Sequence, residues 1–197
     1  MCIIAVDWGK DRRKRAAYQA DTATRHIRRL TVEPDLPHLL DYAASLEPPV
    51  LIGVDAAIGF PEPAWNRLAK GLLAPAASFI DFLLGDELPS DFFEPVAVPE
   101  DWTPQRPFVC PPKGSWSLTD FVRISDDGFH RRVDRALNAN PLFVTCGMPG
   151  SVGSGTQALW RELIDRRETG DFSVWPFHDS LVPLLRKGTP VQSTRNP

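Results

Sequence analysis

Two wholly apolar runs, each ended by an aspartate, constrain the fold of this chain most. Residues 2–6 are Cys-Ile-Ile-Ala-Val and precede Asp7, whereas Val50–Val54 is Val-Leu-Ile-Gly-Val and precedes Asp55. A short apolar run bounded by turn residues is typical of a strand buried in a parallel sheet. We therefore predict two strands, the first of them central and buried on both faces.

The segment between these runs predicts how the two strands are connected. Residues 14–20 and 24–32 mix small, β-branched and basic residues around a tight connection, which indicates an antiparallel meander with the first strand. Pro37 then opens an amphipathic helix that Pro48 and Pro49 end. A right-handed helical crossover places the fourth strand parallel to the first. The predicted fold class is α/β with a mixed sheet.

Asp7 and Asp55 are the candidate catalytic and metal-binding residues. Neighbouring strands lie about 4.8 Å apart, so side chains at matching ends converge at the carboxyl edge of the sheet, where open α/β sheets bind ligands. Two adjacent carboxylates repel each other unless a cation or a shared proton intervenes, and such pairs commonly bind Mg²⁺ or Mn²⁺. The predicted chemistry is metal-assisted phosphodiester or phosphoryl transfer. The alternative is that each aspartate accepts hydrogen bonds from its own turn.

Two glycine-containing turns are candidates for phosphate contact. After Asp7, Gly9 lets the backbone approach a phosphate closely and Lys10 supplies positive charge, so we add Lys10 to the catalytic candidates. The second turn, 150–156, includes Gly153, Gly155 and Thr156 before a predicted helix, but it lacks the lysine of a phosphate loop. Anion binding at that helix N-terminus and a purely conformational role for the glycines both remain open.

The rest of the chain predicts one domain, 1–197, with a loop-rich insertion. The chain has 20 prolines, and a Pro-rich stretch at about 85–118 shows little periodicity. The predicted elements are broken helix at 62–84, helix at 129–137, strand at 142–146, helix at 156–167, strand at 172–175 and helix at 180–185, before a polar tail, 188–197, with no core signal.

Charge and cysteine content set further expectations. The net charge is -3, yet residues 10–29 hold eight basic residues against two acidic ones, which fits either phosphate contact or a solvated hairpin. Cys2, Cys110 and Cys146 lack paired or metal-ligand spacing, so we expect small buried side chains rather than a disulfide or zinc site. No run is long enough to span a membrane and no signal-peptide core is present, which favours a soluble cytoplasmic protein.

Four segments resemble a known family. They are 4–9 (Ile-Ala-Val-Asp-Trp-Gly), 52–61, 152–156 and 174–177 (Val-Trp-Pro-Phe), and the second is the most specific because Asp55 precedes Ala-Ala-Ile-Gly-Phe-Pro. The chain is similar along nearly its whole length to the ribonuclease-H-like family named domain of unknown function 429. The resemblance implies a ribonuclease-H-like sheet of strand order 3-2-1-4-5 with helices on both faces.

The same resemblance bears on the site residues and on the C-terminus. In the ribonuclease-H-like group the first and fourth strands each supply a metal-binding carboxylate, which implies these roles for Asp7 and Asp55, and a late helix supplies another. The family continues beyond Trp-Pro-Phe into a strand with a glutamate and a proline and then an aspartate-bearing helix. Residues 189–197 here contain no acidic residue. The resemblance thus implies a chain truncated or altered at its C-terminus.

Three functions fit these observations. The first is a divalent-metal-dependent nuclease or phosphohydrolase that acts on nucleic acid or a phosphorylated small molecule. The alternative is a nucleotide-binding protein of the actin or sugar-kinase type, whose fold shares the meander and an Asp-x-Gly phosphate turn. A non-catalytic interaction module that contacts its partner through the aromatic residues of 92–116 is the third.

Overall fold

The chain divides into two compact units. The computed structural model describes residues 1–72, 76–126, 128–146, 152–187 and 191–194. The sheet unit comprises Met1–Ala56 and Ala158–Pro197, and the aromatic unit comprises Ala57–Gln157. The prediction of a single domain with an insertion at about 85–118 stays a prediction, and those residues lie within the aromatic unit.

A mixed sheet forms the sheet unit. Its strands are β1 (Cys2–Asp7), β2 (Ala16–Asp21), β3 (His26–Arg29), β4 (Val50–Val54), β5 (Ser173–Trp175) and β6 (Val191–Thr194), in the spatial order β3-β2-β1-β4-β6-β5. The first three strands form an antiparallel meander, and β4 is parallel to β1. The predicted α/β class and the order 3-2-1-4 are therefore confirmed.

The predicted place of the fifth strand is wrong. The strand expected from 172–175 is β5, but β5 pairs with β6, and it is β6 that pairs with β4. The sequence Val-Gln-Ser-Thr of β6 lies in the polar tail, 188–197, for which the sequence gives no core signal. Four residues with only one apolar side chain give no periodicity from which a strand could be predicted, and β6 is identified by its parallel backbone pairing with β4 and β5.

Short helices make up most of the remaining regular structure. In the described residues these helices are α1 (Leu36–Ala44), α2 (Glu62–Lys70), α3 (Phe79–Leu84), α4 (Leu118–Ile124), α5 (Arg132–Ala136), α6 (Gly153–Asp165) and α7 (Leu181–Lys187). As predicted, α1 follows the meander; it begins where the Asp35 side chain accepts the His38 N–H at 3.0 Å. None of the helices in the described ranges has the length and apolarity needed to cross a lipid bilayer.

One face of the sheet is buried and the other is open along β1. Ile4 and Val6 are at most 4% exposed, whereas Ala5 and Asp7 alternate with them and are exposed. Tyr18, the register partner of Ala5 on β2, is 44% exposed. The prediction that β1 is buried on both faces is therefore wrong, and helices do not close both faces over these residues. An unbroken apolar run does not reveal this, because a small residue such as Ala5 can face water at little cost.

Aromatic side chains fill the core of the second unit. Phenylalanine rings contact one another with centroids 4.8 to 6.5 Å apart, and the set comprises Phe60, Phe79, Phe82, Phe92, Phe108, Phe129 and Phe143. The helix predicted at 129–137 is the shorter α5, and α4 was not predicted. The strand predicted at 142–146 is reduced to a single bridge between Val109 and Val144.

The cysteine prediction also needs correction. Cys110 and Cys146 form a disulfide within the aromatic unit, and they are half-buried rather than buried, as is the free Cys2. The two bonded cysteines are 36 residues apart. Their sequence spacing carries no pairing signal, because the bridge between Val109 and Val144 is what brings the neighbouring positions together.

Candidate metal centre

Asp7 and Asp55 lie side by side at the carboxyl edge of β1 and β4. The parallel register pairs Val6 with Val54, so each aspartate is the next residue on its strand. The backbone N–H of Asp55 donates to the carbonyl of Val6 at 3.3 Å, which continues the ladder to the aspartates. Residues that match in a parallel register point to the same face, so the side chains share the open face of the sheet.

A shallow cavity of about 360 Å³ connects the two aspartates. Both side chains are exposed and both line it. Ala5 and Gly53, which are register partners, also line the cavity, and Tyr18 borders it from β2. Because Ala5 and Gly53 have little or no side chain, the sheet backbone itself is accessible between the tyrosine ring and the carboxylates.

The two carboxylates have oxygens that remain available to a ligand. Asp55 Oδ1 accepts the backbone N–H of Trp8 at 2.5 Å. Within the described residues, the second oxygen of Asp55 and both oxygens of Asp7 have no hydrogen-bond partner. Neither aspartate therefore accepts a hydrogen bond from its own turn in the described residues. Asp55 accepts from Trp8, which lies in the turn after β1, and the Asp7 carboxylate accepts no hydrogen bond there.

An arginine fixes the turn that carries Asp7. The Arg15 guanidinium stacks over the Trp8 ring, with Cζ 3.7 Å from the ring centroid, and its Nε donates to the carbonyl of Gly9 at 2.7 Å. Trp8 is in turn held by its bond to Asp55. Sequence reasoning missed Arg15 because it treated the basic residues of 10–29 as one group, fit for either phosphate contact or a solvated hairpin, whereas Arg15 is 4% exposed.

The turn after β1 holds the other two candidates of the sheet unit. Lys10 is exposed on this turn, next to Gly9, and the Lys10 side chain does not line the cavity of the aspartates. A methyl group added to Gly9 would meet nothing within 4 Å, so packing does not require a glycine there. The phosphate-contact roles of both residues stay predictions.

The three candidates at the start of α6 belong to the aromatic unit. A side chain on Gly153 would overlap the carbonyl oxygen of Val144, so this glycine is needed for close packing on protein backbone. Gly155 is half-buried, and Thr156 is buried, with its N–H donating to Val152 at 2.9 Å. Residues 147–151, which complete the predicted phosphate turn, lie outside the described residues. Their roles in cofactor binding stay predictions.

A second group that could hold a metal ion was not predicted. Ligand atoms of Glu33, Asp35 and His38 lie within 4.8 Å of one another at the start of α1. Asp35 is already engaged: it accepts the ring Nδ1 of His38 at 2.7 Å and pairs with Arg12 at 3.3 Å. A metal ion would have to displace these partners, so the group is better described as a hydrogen-bonded cap. Its signal in the sequence is an aspartate three residues before a histidine.

The cap also shifts the pKa values of its members. Burial acts to raise the pKa of Asp35, but the hydrogen bonds from the backbone and ring of His38 outweigh it, and the pKa is lowered below 3.8. The hydrogen bond and the charge of Asp35 raise the pKa of His38 above 6.5. Both shifts favour the ionised pair.

Comparisons of the chain with protein-family models, with curated proteins and with solved structures find no match. The ribonuclease-H-like resemblance therefore stays an expectation from the sequence. What can be argued about function depends on the geometry of Asp7 and Asp55.

Proposed function

We propose that this protein is a divalent-metal-dependent phosphoesterase, with Asp7 and Asp55 as the protein ligands of Mg²⁺ or Mn²⁺. The observation that carries the proposal is the pair of exposed carboxylates that each follow the last register pair, Val6 and Val54, of two adjacent parallel strands and line one cavity. The substrate class is a nucleic acid or a phosphorylated small molecule. A ribonuclease-H-like identity of the fold is part of the same proposal, supported by the strand order 3-2-1-4.

The residues present fit a hard divalent cation. Carboxylate oxygens are the ligands that Mg²⁺ and Mn²⁺ prefer, and such ions commonly take one or two carboxylates while water and substrate phosphate complete the shell. Asp7 and Asp55 repel each other without a cation, so binding one relieves that repulsion. When bound, the ion would polarise a phosphoryl oxygen and lower the pKa of a bound water.

The neighbouring residues position the pair and leave room for a substrate. The Trp8 N–H orients Asp55 by occupying one of its oxygens, which leaves the other oxygen for a ligand. Lys10 follows on an exposed turn and supplies a cation for substrate phosphate. Ala5 and Gly53 in the cavity lining have little or no side chain, so a substrate can approach the aspartates across this part of the sheet.

Mn²⁺ titration by calorimetry tests the ligand assignment. We expect saturable binding to the wild type, and Mn²⁺ affinity reduced by more than about tenfold in both Asp7→Asn and Asp55→Asn. The matched control is Glu47→Gln, which removes an exposed carboxylate away from the cavity and leaves Mn²⁺ affinity unchanged. Equal Mn²⁺ binding by wild type and Asp7→Asn would remove the basis of the proposal.

Hydrolysis assays test the reaction. Bis(4-nitrophenyl) phosphate, single-stranded RNA and single-stranded DNA are incubated with the wild type and the same three variants, with Mn²⁺ or with EDTA. Hydrolysis that requires Mn²⁺, survives in Glu47→Gln and is lost in both aspartate variants supports the proposal. Thermal stabilisation by ATP without hydrolysis would favour a nucleotide-binding protein instead. An unchanged cellular phenotype in the two aspartate variants would favour an interaction module.

A further inference from the structure

A second and larger cavity in the sheet unit lies among the basic residues of the β1–β2 and β3–α1 connections. Its volume is about 580 Å³, which is in the range of small-molecule sites. The charged residues that line it are Arg12, Arg13, Arg15, Arg29, Glu33 and Asp35. Asp7 and Asp55 line the other cavity, so the two sites have different residues.

The charges that line this cavity favour an anion. Four guanidinium groups and two carboxylates line the cavity. Arg12 pairs with Asp35 and with Glu162, and Arg15 pairs with Glu162, which lies outside the lining. Arg13 pairs with Asp11 outside the lining, at 3.1 Å. Arg29 is exposed on β3 and has no ion-pair partner in the part of the chain that the structure describes. Glu33 is an exposed carboxylate, and it would repel an anion.

Buried donors without acceptors give an independent reason to expect a ligand. Arg15 lines the cavity, its side chain is 1% exposed, and Nη2 has no hydrogen-bond partner among the described residues. The Nε1 of Trp8, in the ring on which Arg15 stacks, is buried and also lacks a partner among the described residues, but Trp8 does not line the cavity. Both groups are donors only, and a buried donor that lacks an acceptor is costly. An oxygen-rich anion in the cavity supplies the acceptor that Arg15 Nη2 lacks.

The Arg15 guanidinium is held in place before any ligand arrives. Its Nε donates to Gly9, its Nη1 donates to the carbonyl of Pro34 at 3.3 Å and to Glu162 at 3.0 Å, and its plane lies on Trp8. A planar fork that is fixed in this way loses little conformational entropy on binding. Arg12, whose side chain is 57% exposed, and Arg29 stand at the accessible side.

We infer that this cavity binds a phosphate monoester of a small molecule, with Arg12 and Arg29 contacting the phosphate and Arg15 at the buried end. The phosphate class follows from the exposed Arg29 and Arg12 together with the unpartnered Nη2 of Arg15. A dianion with three terminal oxygens accepts from more than one guanidinium at once. The inference is independent of the proposed metal site and goes beyond it.

Calorimetry with inorganic phosphate and phenyl phosphate, on EDTA-treated protein at low salt, tests the inference. We expect saturable binding of one phenyl phosphate per chain, tighter than inorganic phosphate because the cavity exceeds a bare anion. Arg29→Gln is expected to weaken it by about tenfold or more, the loss of one charge-assisted hydrogen bond. Arg25→Gln, an exposed arginine outside the lining, is the matched control and keeps wild-type affinity.

Two further variants keep the test decisive. Arg15→Lys retains the charge near Glu162 but removes the free Nη2, so it is expected to bind phenyl phosphate more weakly while its circular dichroism spectrum is unchanged; if it fails to fold, Arg12→Gln replaces it. The inference is overturned by absence of saturable binding, or by equal weakening of phenyl phosphate binding in Arg25→Gln and Arg29→Gln.

Discussion

Two pairs of carboxylates in the sheet unit differ in their surroundings. Asp7 and Asp55 are exposed, and three of their four oxygens lack a partner in the described residues. Asp35 and Glu162 are 2% and 4% exposed, and each accepts two or more hydrogen bonds or ion pairs. Both Asp35 and Glu162 pair with Arg12 at 3.3 Å.

This difference indicates that the buried carboxylates serve stability and the exposed carboxylates serve ligand binding. A buried carboxylate is tolerated only when donors compensate it, and here Asp35 and Glu162 accept from the first N–H groups of α1 and from arginine side chains. Glu162 Oε2 accepts the first N–H of α1 from Leu36 at 2.8 Å. The exposed pair contributes little to packing, so its free oxygens are available to a cation. The comparison therefore predicts opposite consequences for removing a carboxylate from each pair.

The largest expected effect follows from removing Glu162. In Glu162→Ala, Arg15 remains buried and loses its carboxylate partner, and the Leu36 N–H loses its acceptor. We expect the free energy of unfolding to fall by about 3–5 kcal/mol, measured by urea denaturation. A loss no larger than that of Glu47→Gln would show that the buried pair does not differ from an exposed one.

A smaller loss is expected when the cap of α1 is removed. Asp35→Ala eliminates the acceptor for the His38 N–H and ring, so we expect the free energy of unfolding to fall by about 1–2 kcal/mol. Asp35→Asn keeps an acceptor for the backbone N–H and should recover part of this loss. Both are measured by the same denaturation, and equal stability of all three proteins would contradict the cap.

The opposite result is expected for the exposed pair. Asp7→Asn removes a repulsion rather than an interaction, so without metal the free energy of unfolding should change by less than about 0.5 kcal/mol. Added Mn²⁺ should raise the Tm of the wild type and leave the Tm of Asp7→Asn unchanged, because a ligand stabilises the state that binds it. Destabilisation of Asp7→Asn comparable to Asp35→Ala would place Asp7 among the structural carboxylates.

The smallest effect is a dependence of stability on pH through His38 and Asp35. The pKa of His38 is raised in the folded protein, so its contribution is complete below the unfolded pKa of about 6.5 and is lost as pH rises through the folded pKa. The pKa of Asp35 is lowered, so its contribution is complete above about 3.8 and is lost as pH falls through the folded pKa.

Denaturation between pH 5 and about 9 isolates the His38 contribution. The wild type should lose stability over this range relative to His38→Asn, which keeps a polar side chain but does not titrate. If the free energy of unfolding depends on pH in the same way for both proteins, the ion pair between His38 and Asp35 does not contribute to stability in solution.

Several features of the fold could be predicted because they are local. The apolar runs, the meander and the helix opened by Pro37 determine the order 3-2-1-4 through connection rules. Other features could not. The strand β6 has no apolar pattern, and the bond between Cys110 and Cys146 depends on a bridge between distant segments. The open face of β1 was not predicted, because an apolar sequence does not indicate whether other elements cover both faces of a strand.

The sequence by itself determined that Asp7 and Asp55 end two adjacent parallel strands, since strand periodicity and the handed crossover leave few other arrangements. Only the tertiary structure decided which carboxylates are free and which are satisfied. Arg15 and Glu162 are 147 residues apart in the chain, and no local pattern records such a pairing. Burial and hydrogen-bond partners arise from packing between distant segments, so the division between a stabilising and a ligand-binding carboxylate emerges only in the folded protein.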